Sequence, residues 1–134
     1  MIESSSTKNP LALIIEDNAA VAGIFKIAIE RAEFEVEHIG DGRTALERLA
    51  VVTPVLILLD LHLPHIPGEQ ILHYIRAEER LAKTQVILAS ADLPKVASLE
   101  HMADFVLVKP FGFNQLHNLV MRLRPPDVVS YVNV

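Results

Sequence analysis

The chain has 134 residues and no cysteine; 51% of its side chains are apolar, only 5% are aromatic, and its formal net charge is −5. That length gives one domain burying roughly two thirds of its unfolded surface, with a core built from Leu, Ile, Val and Ala, the palette of a buried parallel sheet. The acidic balance offers no electrostatic route to nucleic acid or an anionic membrane, and the lack of cysteine excludes disulfides and thiolate metal sites and suits a reducing cytoplasm.

Residues 1–10 are polar, serine-rich and closed by Pro10, which reads as a flexible leader. They lack the basic and apolar regions of a signal peptide. The longest apolar stretch, residues 54–59, is far too short to span a bilayer. The expectation is a cytoplasmic protein.

Leu11–Ile15 forms the first short apolar run, as expected of a strand covered on both faces. Asn18 is a candidate N-cap for a helix whose buried face is Val21, Ile24, Phe25, Ala28, Ile29 and Ala32. Phe34–Ile39 alternates, and Glu35 and Glu37 on one face suit an edge strand protected against mispairing. Ala45, Leu46 and Leu49 offer a second helical face, Val55–Leu59 a third strand, and Ile71, Leu72 and Ile75 a third helix. Val86–Ala89 is the fourth strand. Residues 94–101 form a short, weakly apolar fourth helix with Pro94 in its first turn. Phe105–Val108 is the fifth strand, and Leu116, Leu119, Val120 and Leu123 follow the candidate cap Asn114. Pro125-Pro126 stops that helix, so that residues 11–124 are the domain and residues 125–134 a C-terminal tail or the start of a linker. The valines and Tyr131 of that tail would suit either a mobile end or a strand added to a partner.

Five strands alternating with five helices imply an α/β fold with right-handed crossovers and a parallel sheet. An edge position for the second strand favours the order 2-1-3-4-5, in which the first and third strands straddle the switch point and ligands bind at their carboxyl ends. Glu16 and Asp17 follow the first strand, Asp60 the third, Ser90 the fourth and Lys109 the fifth. The fold gathers them at one sheet edge. Taken singly, adjacent acids begin loops, an Asp after a strand forms turns, and a lysine before proline is a solvated loop residue. Together they make a cluster of three carboxylates, a hydroxyl and an ammonium. Crowded carboxylates repel unless a cation compensates, and an all-oxygen site suits Mg²⁺, with Mn²⁺ as an alternative. Asp60, at the sheet centre, is the candidate nucleophile for an acyl phosphate, with Lys109 and Ser90 placed to hold phosphoryl oxygens.

Leu13-Ile-Ile-Glu-Asp-Asn18, Leu58-Leu-Asp-Leu-His-Leu-Pro64, Leu88-Ala-Ser-Ala91 and Val108-Lys-Pro-Phe111 resemble, in order, the four signature segments of response-regulator receiver domains of two-component signalling. The resemblance to these chemotaxis-regulator-like domains covers residues 10–124 and implies the flavodoxin-like, doubly wound (βα)5 fold. It further implies Asp17 as a direct Mg²⁺ ligand, Glu16 acting through metal-bound water, Asp60 as ligand and phosphoacceptor, and His62 supplying its backbone carbonyl to the metal. Ser90 and Lys109 match the hydroxyl and lysine that contact the phosphoryl group, and the peptide before Pro110 is commonly cis in the family. The implied function is a phosphorylation-dependent switch, not an enzyme, charged by a sensor histidine kinase or histidine phosphotransfer protein. Its implied output is a downstream protein target or output domain, with a homodimer among the assemblies expected, and without nucleic acid or membrane contact by this domain.

Three features depart from that pattern. Val106 holds the usual aromatic switch position, with Phe105 on the opposite face. Lys109 lies nineteen positions after Ser90, about three fewer than the family norm, so the fourth helix is expected to be shortened or partly unwound. His62 and Asp92 occupy the variable positions that flank the phosphoryl site. A transition-metal site at His62 and His65 is the weaker reading of that proline-bounded loop, and His38, His73, His101 and His117 show no ligand spacing and read as surface or helix residues. Two rival functions remain: a constitutive docking module that is never phosphorylated, and an Asp-nucleophile Mg²⁺ phosphohydrolase. The latter usually carries a second Asp two positions after the first, where this chain has His62.

Overall fold

The computed structural model describes residues 9–126; the expected leader up to residue 8 and the expected tail from residue 127 lie outside the described residues. Five strands, β1 (Leu11–Ile15), β2 (Glu35–Ile39), β3 (Leu56–Asp60), β4 (Gln85–Ser90) and β5 (Phe105–Val108), alternate with five helices. These are α1 (Ala19–Glu30), α2 (Gly42–Leu49), α3 (Gly68–Ala77), α4 (Leu93–Leu99) and α5 (Phe113–Leu123). All strands are parallel in the order β2-β1-β3-β4-β5, the expected flavodoxin-like arrangement.

Continuous apolar strands demand cover on both faces, because each side chain of β1, β3 and β4 alternates into a different core. Ala12, Ile14, Leu56, Leu58 and Ile87 pack beneath α1 and α5. Leu13, Ile15, Ile57, Leu59 and Leu88 pack beneath α2, α3 and α4. Edge strand β2 is only half-buried, and Glu37 turns its charge to Arg48 of α2 through two hydrogen bonds of 2.6 and 2.9 Å. Among the described residues no helix is long and apolar enough to cross a membrane.

The helix ends follow local chemistry, with two corrections. Asn18 caps α1 by accepting from the Val21 N–H, as expected. Ile24, expected inside, is 53% exposed, and Ala22 takes its place in the core; the buried arc runs through Ala22, Phe25, Ala28 and Ile29, and it is too narrow to include Ile24. Asn114 does not cap α5. The helix begins two residues earlier than that cap would place it, with Gly112 in extended backbone at the cap and no side-chain cap bond. The fourth helix is short, as expected: seven residues, capped by Asp92 accepting from the Lys95 N–H, followed by a single 3₁₀ turn at Glu100–Met102. The Lys109–Pro110 peptide is cis.

Candidate functional site

The carboxyl ends of β1, β3, β4 and β5 converge at one edge of the sheet, and the chain leaves each strand there on a polar residue. Asp60 and Ser90 are the last residues of β3 and β4 rather than the first beyond them. This places both on rigid backbone: Asp60 is 5% and Ser90 0% exposed. Glu16, just past β1, is equally buried, while Asp17 beside it is exposed.

Carboxylate oxygens of Glu16, Asp17 and Asp60 all lie within 4.8 Å of one another. Lys109 Nζ donates to Glu16 Oε1 at 2.8 Å and stands 3.6 Å from Asp60 Oδ2. Backbone N–H groups complete the setting: that of Asn18 donates to Glu16 Oε2 at 3.1 Å and that of His62 to Asp60 Oδ1 at 3.3 Å. Burial pushes the Glu16 carboxyl above its usual range, and the nearby Asp60 charge pushes the same way against the hydrogen bonds from Lys109 and Asn18. One ammonium thus faces three acids, and the donor set is all oxygen, open to solvent at Asp17. That is the chemistry a hard divalent cation such as Mg²⁺ fits.

Ser90 Oγ accepts from the Asp92 N–H at 3.0 Å, and the Lys109 N–H donates to the Ser90 carbonyl at 2.9 Å, so β4 and β5 hold hydroxyl and lysine in register. His62 enters by its backbone; its ring lies outward, 3.7 Å from Asp92 Oδ2. All six expected site residues therefore sit at this one edge. His62 and His65 form no metal cluster, since among the described residues the only group of three potential ligands is the acidic one. His65 instead has φ 72° between Pro64 and Ile66, joined by a hydrogen bond from the Ile66 N–H to the Pro64 carbonyl at 2.8 Å. This is a tight γ-turn.

Two contributors were not legible in the sequence. Gly68, the first residue of α3, packs so closely on the backbone of Asp60 and Leu61 that an added Cβ would collide with the Asp60 carbonyl and lie 2.7 Å from Leu61 Cα. His38 Nε2 lies 2.7 Å from the Glu16 carbonyl oxygen. Either would have required the strand register and the approach of α3, which residue spacing does not carry.

Comparison with known proteins gives a coherent family. The model of the response regulator receiver domain matches residues 12–121. The response regulator ArlR of Staphylococcus saprophyticus is 36% identical over 104 residues, covering 78% of this chain and 47% of that protein. The autoinducer 2 sensor kinase/phosphatase LuxQ of Vibrio harveyi is 36% identical over 108 residues, covering 78% of this chain and 12% of that protein. The chain thus spans half or less of the length of these relatives. Among solved structures, the chemotaxis response regulator CheY4 of Vibrio cholerae superposes with a TM-score of 0.78 over 86% of this chain and 98% of that one, at 22% identity.

Proposed function

The chain belongs to the response regulator receiver domain family of two-component systems, and from that premise we propose that it is a Mg²⁺-dependent phosphorylation switch with Asp60 as phosphoacceptor. Receiver domains are regulatory domains. The observation that carries the reading is the Lys109 ammonium set between Glu16 and Asp60 in a cluster of three carboxylates.

Glu16, Asp17 and Asp60, with the backbone carbonyl of His62, would hold the ion, Mg²⁺ or Mn²⁺, whose double charge offsets that of an incoming phosphoryl group. An Asp60 oxygen attacks phosphorus of a phosphohistidine on a sensor kinase or histidine phosphotransfer protein. The N–P bond breaks, its electron pair returns to the imidazole, and an acyl phosphate is left on Asp60. Lys109, already 3.6 Å from Asp60, and the Ser90 hydroxyl take the phosphoryl oxygens. The Ser90 oxygen accepts from the Asp92 N–H, so its turn toward the phosphate pulls on the start of α4 and shifts that loop. Hydrolysis of the acyl phosphate resets the switch.

The working unit in this reading is residues 11–124, acting in the cytoplasm on a downstream protein target, an output domain or a second copy of itself, without nucleic acid or membrane contact. One observation favours the constitutive docking module as the second reading: Val106 stands where an aromatic usually reports the switch and is packed with the α4-side core. A phosphohydrolase is disfavoured because the residue two after Asp60 is a histidine turned toward Asp92. Phosphotransfer profiling against candidate sensor kinases separates them. We expect transfer of label to the wild-type chain and none to Asp60→Asn; no transfer from any kinase favours the docking module, and multiple turnover on a phosphomonoester would revive the enzyme.

A further inference from the structure

Edge strand β2 reaches the acidic cluster at one point. Its register with β1 pairs Ile14 with His38 and Ile15 with Ile39, and the ladder's last backbone bond runs from the Glu16 N–H to the Ile39 carbonyl at 3.0 Å. The next acceptor, the Glu16 carbonyl, meets the His38 ring instead, with Nε2 at 2.7 Å. Nε2 donates there, since a carbonyl oxygen can only accept. Both backbone polar groups of Glu16 are therefore tied to the last two residues of β2, and its side chain is tied by Asn18 and Lys109.

That carbonyl belongs to the peptide unit joining Glu16 to Asp17. Asp17 is exposed, and among the described residues no hydrogen bond fixes its carboxylate, so its direction is set by the backbone that carries it. A rotation of this one peptide plane would swing Asp17 away from Glu16 and Asp60. His38 is itself exposed, so its ring adds little to the core, and among the described residues a short bond onto this carbonyl is its one polar contact.

We propose that His38 is a positioning residue for the metal site: its ring N–H locks the Glu16–Asp17 peptide in the orientation that presents Asp17 to a divalent cation. This rests on the Mg²⁺ reading above. Hydrogen-bond partners standing one step behind metal ligands, when removed, lower metal affinity by about tenfold or more.

Titration calorimetry of Mg²⁺ into the full chain, stripped with EDTA, tests it. His38→Phe keeps a ring without a donor, His38→Val suits an edge strand without a donor, and His38→Gln keeps an N–H donor. We expect Mg²⁺ affinity to fall by about tenfold in Phe and Val, to return close to wild type in Gln, and the melting midpoint without metal to stay near wild type in all three. Unchanged affinity in Phe and Val, with wild type binding normally, overturns the role of His38 alone, as does a lowered midpoint without any loss of affinity. A Gln variant that stays as weak as Phe also overturns it. If wild type and Asp17→Asn are both silent toward Mg²⁺, the metal site itself fails and this inference falls with it.

Discussion

Glu16 is buried beside Asp60 with a single ammonium between them, and Asp17 adds a third charge at the rim. Like charges at this spacing disfavour the ionised state and strain the fold when no cation is present, a cost that proteins commonly carry at sites built for function. Asp60→Asn should therefore raise the stability of the chain in EDTA by about 1 kcal/mol, seen as a higher melting midpoint, while removing most of the stabilisation that added Mg²⁺ gives the wild type. Scanning calorimetry with and without Mg²⁺ reads both effects; a variant less stable than wild type in EDTA would contradict the crowding. At this scale the sequence was readable where a polar residue ends or directly follows an apolar run, as Glu16, Asp60, Ser90 and Lys109 do. His38 was not, because its role depends on which carbonyl stands beside it in the register and nothing in its own neighbourhood reports that.

Element placement turns on two glycines that behave in opposite ways. Gly68 opens α3 directly against the Asp60 carbonyl, whereas a Cβ on Gly23 of α1 would meet nothing within 4 Å. Gly68→Ala should thus cost about 1–3 kcal/mol by pushing α3 off the end of β3, and Gly23→Ala should gain up to about 1 kcal/mol from helix propensity alone. Chemical denaturation of the two variants checks the contrast; equal effects would remove the close approach from the account. On edge strand β2, the Arg48 hydrogen bonds hold the Glu37 carboxyl below its usual range. A depressed folded-state pKa stabilises above the ordinary carboxylate range, and that stability is lost as pH falls through the depressed value. Because both groups are partly exposed, Glu37→Gln should cost only about 0.5 kcal/mol at neutral pH, shrinking toward zero in acid, as urea denaturation across pH will show. The helices themselves were legible through apolar spacing. Ile24 and the cap of α5 were not, since spacing fixes the direction of a buried face but not its width, and a glycine in extended backbone can start a helix without a side-chain signal.

The whole molecule is one sheet between two separate cores, and its order follows from which strands are apolar throughout and which one alternates. That contrast, between Leu56–Leu59 buried on both faces and Glu35–Ile39 left at an edge, is why the topology was legible in the sequence. The short α4 was also visible, as the small separation of Ser90 from Lys109 and the presence of Pro94. What spacing could not supply was the tertiary fine structure of the site: the approach of α3 to Asp60, the reach of β2 to Glu16, and the outward pairing of His62 with Asp92. The proposed switch depends on Asp60 being a nucleophile that works only with a divalent ion beside it. Intact-mass measurement of the full chain after incubation with acetyl phosphate addresses this most directly. Addition of one phosphoryl group in Mg²⁺, none in EDTA and none in Asp60→Asn is the predicted result; an unmodified wild-type chain in Mg²⁺, or equal labelling of Asp60→Asn, would contradict it.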